Sequence, residues 1–172
     1  MGTSPESNKS LRNGILDKIE NFLTVNYGKK EDLREFDKEL RGEYYAEFMD
    51  VRHRWEKVYL GILEANQSTL SGDSKKVMQT IDRLAASVNR ADYGYAPLLD
   101  RVQKIQEQEL GKMLEYDKAL GGNLIQINRD VDSAEAMLEN TAWSQLKAGI
   151  DALKKSLSVF DEAWRKRKQV FS

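Results

Sequence analysis

The chain has one histidine, and it stands in a stretch crowded with chemically conspicuous side chains. EYYAEFMDVRHRWEKVYLGILE, Glu43 to Glu64, holds His53 together with three tyrosines, a phenylalanine, a methionine and a tryptophan. A lone histidine excludes a metal site built from histidines. The di-iron carboxylate bundles need two Glu-x-x-His units, and Asp50-x-x-His53 occurs once with nothing to pair with it. No acidic run has the ligand spacing of a calcium loop, so neither a metal nor a cofactor is expected. A phosphoryl-accepting histidine on a helical bundle must be exposed, and is followed closely by lysine and a small residue. HRWEKV instead places Lys57 one step late and the bulky Trp55 nearby. On a helix His53 lies about 200° round from Val51, off the apolar positions, which reads as a plain solvated side chain. No G-x-S-x-G nucleophile turn is present, nor a G-x-x-x-x-G-K-[ST] or G-x-G-x-x-G phosphate loop. A phosphorelay or other enzyme role centred on His53 is therefore the least favoured reading.

Two further groups could form surfaces rather than sites of chemistry. Tyr44, Phe48 and Trp55 fall at helical spacing on an apolar stripe and read as core. Tyr45 and Met49 widen that stripe to a second edge, and a broad apolar face implies two neighbours. Tyr, Met and Arg are enriched at protein interfaces, so Tyr45, Met49 and Arg52 are a candidate interface. Near the end of the chain, DEAWRKRKQVF carries Trp164, Arg165, Lys166, Arg167 and Lys168, followed by Val170 and Phe171. Such a basic patch beside bulky apolar residues could lie on an anionic membrane or grip nucleic-acid phosphates. The plainer reading is that cations complement the C-terminal end of a helix dipole.

Composition narrows the setting. Twenty-seven basic and 28 acidic side chains among 172 residues nearly cancel, unlike a strongly basic nucleic-acid binder. Local charge is less even. Residues 31–70 hold ten acidic and six basic side chains, 100–140 nine and five, and 147–172 three and seven. The absence of cysteine excludes disulfides, a thiol nucleophile and thiolate metal sites. No apolar run approaches the roughly 20 residues that span a bilayer, and MGTSPESNKS has no apolar signal core. The expectation is a cytoplasmic protein with a disordered lead over 1–9 and a single helical-bundle domain over 10–172.

The elements that must position these residues are helices. Only two prolines occur, Pro5 and Pro97, too few for the turns of a β-rich domain. Leu11, Ile15, Ile19, Phe22 and Val25 mark a short first helix over about 10–27. Leu33, Phe36, Leu40, Tyr44, Phe48, Val51, Trp55, Val58 and Ile62 form one long stripe, a helix over about 31–69. Val77, Ile81, Leu84 and Val88 predict a helix over 74–91, and DYGYAP then interrupts. Leu98, Val102, Ile105, Leu110, Met113 and Tyr116 continue to Leu120. Leu124, Ile127, Val131, Ala134 and Leu138 make the next stripe. A five-residue step at ENTAW, where Thr141 could cap a new start, leads to Trp143, Leu146, Ile150, Leu153, Leu157, Phe160 and Trp164.

Glycine supplies the stops, SGD at 71–73 and GGN at 121–123. Three segments of similar length result, and the spacing predicts an all-α fold: an elongated antiparallel three-helix bundle, its middle helix broken near Pro97, with a short extra N-terminal helix. A compact four- or five-helix bundle is the alternative. The long three-helix plan resembles spectrin-like repeats and crescent-shaped membrane-bending dimers. The turn YDKALGGNLIQINRD offers only Lys118 and Arg129 as cations, so no site residue is taken from that resemblance. The function expected is that of a non-enzymatic structural or interaction protein, coiled-coil-like, forming a homodimer or docking a protein partner. Association with nucleic acid or an anionic membrane through the basic C-terminal end is the alternative.

Overall fold

The computed structural model describes residues 30–90 and 107–171, together with Asp17; side chains are described over 38–90 and 115–167 and at Asp17. Four helices are described: α1 (Lys30–Glu64), α2 (Ser68–Asn89), α3 (Glu107–Glu139) and α4 (Trp143–Phe171). No strand occurs among the described residues. The chain is an all-α bundle. The lead over 1–9, most of the expected 10–27 helix and the Gly94–Pro97 break lie outside the described residues.

The breaks fall away from the glycine-marked stops. Ser71–Asp73 lie inside α2, and Gly121–Asn123 lie inside α3. The chain reverses instead at 65–67 and at 140–142, and it does so in the same way twice. Asn66 adopts φ 57° and Thr141 φ 51°. Gln67 N–H donates to the Ile62 carbonyl at 3.2 Å and Asn66 N–H to Leu63 at 3.0 Å. Ala142 N–H donates to Met137 at 2.9 Å and Thr141 N–H to Leu138 at 3.0 Å. Each is a Schellman motif, in which a left-handed residue just past the helix satisfies two of the last carbonyls. Asparagine takes that conformation more readily than most side chains. Threonine, branched at Cβ, does not, so the break near ENTAW is a full turn made through a strained residue.

The two turns define two helical hairpins, α1–α2 and α3–α4. Paired residues give the directions between them. Tyr44 approaches Asp117, and Arg54 approaches Asn128 and Glu135, so α1 and α3 run parallel as neighbours. Lys154 meets Asp73, and Trp164 meets Ser87, so α2 and α4 also run parallel. Both turns therefore lie at one end, and the order round the bundle is α1, α2, α4, α3. Near the turns α1 and α3 approach closely: a Cβ on Gly61 would lie 2.8 Å from Leu138 Cδ2.

The core lies between the hairpins. From Leu40 onward the long stripe is buried as its spacing implies: Leu40, Tyr44, Phe48, Val51, Trp55, Val58 and Ile62 are all 1% exposed or less. Most buried positions recur at an interval of 76 residues in both hairpins, among them Phe48 with Leu124, Val51 with Ile127, Val58 with Ala134, Val77 with Leu153 and Val88 with Trp164. The turns are 75 apart, Asn66 with Thr141. The one-residue difference has a geometric cause. With parallel neighbours and both turns at one end, the hairpins face each other as mirror placements. Relative to its own turn, each helix must bury an arc about 90° away from its counterpart's, and one residue of α-helix turns about 100°.

Aromatic rings fill the end away from the turns. Phe48 meets Phe160 edge to face with centroids 4.8 Å apart, and Tyr44 meets Trp164 at 6.4 Å. These contacts join α1 to α4 across the diagonal. Trp55 Nε1 donates to the Ser74 carbonyl at 2.9 Å, tying α1 to α2 nearer the turn.

Thr141→Gly should raise the unfolding free energy by about 1 kcal/mol, since glycine takes the left-handed position without a Cβ clash. Urea denaturation of the two proteins checks this.

Candidate interaction surfaces

α1 has neighbours on two sides, so its residues separate by direction. The core stripe faces inward. Glu47, Arg54 and Gly61 face α3, Arg52 faces α2, and Ala46, Met49, His53, Leu60 and Leu63 are exposed.

On the α3 side a part-buried ionic seam joins the hairpins. Arg54, with a side chain 11% exposed, donates from Nε to Glu135 Oε1 at 2.7 Å and from Nη1 to Asn128 Oδ1 at 3.1 Å, and its Nη2 bonds Asp132. Its planar fork presents five donors in fixed directions to these acceptors, where a lysine offers three from a single nitrogen. Asn128, buried, donates in turn to the Leu124 carbonyl at 2.9 Å. Glu47 lies half-buried on the same side. Its carboxyl is pushed up from 4.5 to about 7, chiefly by burial and then by the Asp50 and Glu43 charges, against the opposing pull of the Asn128 hydrogen bond and of Arg54.

His53 is exposed. It borders a shallow groove of about 460 Å³ whose other walls include Asp50, Lys57, Glu135 and Glu139. No group of three or more His, Asp or Glu side chains able to hold a metal ion occurs among the described residues. The groove joins charges of both signs.

The basic run near the end of α4 divides between interior and surface. Trp164 is 0% exposed and Arg167 1%. Arg167 Nε donates to Asp117 Oδ1 at 2.9 Å, and its guanidinium stands 5.1 Å from the Trp164 ring centroid. Tyr44 Oη lies 3.5 Å from the same Asp117 oxygen. Trp164 Nε1 donates to Ser87 Oγ at 3.0 Å. These residues are part of the aromatic end of the core, where charge-paired burial explains the arginine. Arg165 and Lys166 are exposed and pair within the helix, with Asp161 and Glu162, each at 3.1 Å. The Lys168 side chain lies outside the described residues. Periodicity alone already put Trp164 on the core stripe; that Arg167, one turn on, follows it inward depends on the buried Asp117 of α3, which no local pattern announces.

The trio on the second edge of α1 also divides. Tyr45 packs half-buried against the core. Arg52 pairs with Asp82 of α2 at 2.6 Å and with Glu56 at 3.3 Å, and these partners raise the affinity of its guanidinium for its proton. Met49 is 41% exposed. Leu60 at 49% and Leu63 at 43% are exposed with it. Ala46, Met49, His53, Glu56, Leu60 and Leu63 recur at steps of 3, 4, 3, 4 and 3, which is one continuous stripe along the outside of α1. Leu60 and Leu63 could have been found in the sequence as apolar residues off the core spacing of an otherwise regular helix.

Comparison with protein-family models, curated proteins and solved structures finds no match to this chain. None of the described helices is long and apolar enough to cross a membrane.

Three variants test the buried and half-buried charges. Arg167→Met removes a buried cation paired with the buried Asp117 and should cost about 3–5 kcal/mol, whereas Asp117→Leu with Arg167→Met, which removes both members of the pair, should cost less; urea denaturation reads both. At Glu47 the folded chain retains a proton between about pH 4.5 and 7 that the unfolded chain releases. Its contribution is complete below pH 4.5 and lost as the pH rises through 7. Glu47→Gln should therefore be more stable than the wild type at pH 8, with the difference vanishing towards pH 4.5 in thermal melts across that range.

Proposed function

We propose that the chain is a non-catalytic interaction protein that associates through the outer face of α1. The observation that carries this reading is the placing of Met49, Leu60 and Leu63. They are three of the four large apolar side chains exposed among the described residues, and they share one face of one helix. Single exposed apolar residues are ordinary, but a row of them on one element marks a surface meant to be covered. The geometry is suited to it. α1 is held on its other sides by the core, by the Arg54 seam to α3 and by the Arg52–Asp82 pair to α2, so the outer face is presented on a rigid rod that need not reorganise on binding. The occupant is another copy of the chain or a partner helix of amphipathic character.

Replacing Met49, Leu60 and Leu63 together by serine should leave helix content and the melting temperature within a few degrees of the wild type, because none of the three is in the core. The same variant should lose concentration-dependent association in sedimentation velocity. Association unchanged by the triple substitution would remove the basis for this reading.

A further inference from the structure

We infer that the outer face of α1 binds the same face of a second copy, the two α1 helices running antiparallel. This rests on the reading of that face as an interaction surface and adds the partner and its register.

The stripe is palindromic in its chemistry. Reversed about a point between Arg54 and Trp55, the stripe maps onto itself in three layers. Met49 meets the second copy's Leu60, Ala46 meets Leu63, and His53 meets Glu56. Large apolar faces large apolar, the smallest side chain faces a leucine, and an imidazole N–H donor faces a carboxylate. Because the operation is a two-fold, each layer occurs twice, as an isologous interface requires. In a parallel pairing the same stripe would set Glu56 against Glu56 and His53 against His53, both adverse or neutral. The steps of 3 and 4 keep the six residues on one seam over about 26 Å, without requiring any change in the bundle. The arginine on the flank supports the polar layer: Arg52 holds Glu56 at 3.3 Å on the same helix, so the carboxylate is ordered before the second copy arrives. Ala46, Met49, His53, Leu60 and Leu63 are exposed, Glu56 is half-buried beside Arg52, and His53 also borders the groove towards α3. A contact one helix wide is at the small end of stable interfaces, so association in the micromolar range is expected, ~10 µM or weaker.

The absence of cysteine from the chain allows a direct test by disulfide trapping. Met49→Cys and Leu60→Cys are made separately and oxidised alone and as a mixture. Antiparallel pairing predicts a cross-linked dimer from the mixture and little from either protein alone. In that pairing the two copies of residue 49 stand about 16 Å apart along the helices, too far for a disulfide. Charge reversal gives a second arm without thiols. His53→Glu should weaken the dimer at least tenfold, as should Glu56→Lys, and mixing the two variants should restore it, a rescue that no contact within one chain can produce.

A wild-type protein that remains monomeric to about 1 mM, well above the interface-size expectation, overturns the second-copy assignment. Rapid cross-linking of Met49→Cys alone indicates parallel pairing and overturns the register. Association that disappears when Met49, Leu60 and Leu63 become serine, yet gives no cross-link in the mixture, overturns the antiparallel pairing while sparing the interaction reading. Association indifferent to the serine variant overturns both.

Discussion

A helical hairpin has two faces, and here two hairpins with the same kind of turn bring both turns to one end of the bundle. They can share a core only by offering opposite faces to each other. Most buried positions in α3 and α4 are then displaced round the helix, relative to the turn, from a counterpart in α1 and α2. One residue of helix supplies the displacement, which is why the core repeats at 76 residues while the turns repeat at 75. The interval holds although the side chains differ, Tyr44 against Leu120, Ser74 against Ile150, Val88 against Trp164. What is repeated is a geometry, and different volumes are accommodated within it layer by layer.

The same arrangement decides where polar groups are needed. Within each hairpin the helices are antiparallel and their dipoles oppose. Across the seam α1 lies parallel to α3 and α2 to α4, so like ends of helix dipoles stand side by side, which is mildly unfavourable. Oppositely charged side chains lace both seams: Arg54 with Asp132 and Glu135, Lys154 with Asp73, Arg83 with Asp161. The exposed pairs among them contribute little energy, and their value is in selecting this pairing of hairpins over a slipped one. Cohesion comes from the apolar layers. Phe48 and Phe160, reaching across the diagonal, do what no adjacent pair of helices does, and the buried Arg167–Asp117 pair fixes the register of α4 on α3 at the same level.

Much of this was legible in the sequence. The all-helical class followed from two prolines and unbroken stripes, and the inward faces of all four described helices follow their 3-4 spacing. The outward position of His53 followed from the same angle count. What misled was punctuation. Glycine at 72, 121 and 122 reads as a helix stop, yet Gly72 and Gly122 lie in helices with open space about them. The left-handed positions that turn the chain are taken by Asn66 and Thr141. A propensity of about 1 kcal/mol against glycine is smaller than what a buried helix face supplies, so packing on both sides carries α3 straight through GGN. The basic run divides between interior and surface for a related reason. Four successive cations look like a surface, but a helix sends successive residues 100° apart, and Arg167 shares the direction of Trp164 rather than that of its neighbours in sequence.

The two-sided character of α1 follows from position in the bundle. Among the described residues each helix has two adjacent helices, and the face turned away from them is free to be polar. On α4 it largely is, with Lys147, Lys155, Arg165 and Lys166 outward. On α1 the outward residues include a methionine and two leucines spread over about 21 Å of helix. Nothing within the chain's own core gains from them, since Leu40 to Ile62 already complete the inner stripe. A compact pocket-like partner would touch one or two of the three. A straight stripe of this length and narrow width offers more contact to another rod than to a compact partner, and the second copy of α1 that we infer, reversed, is such a rod.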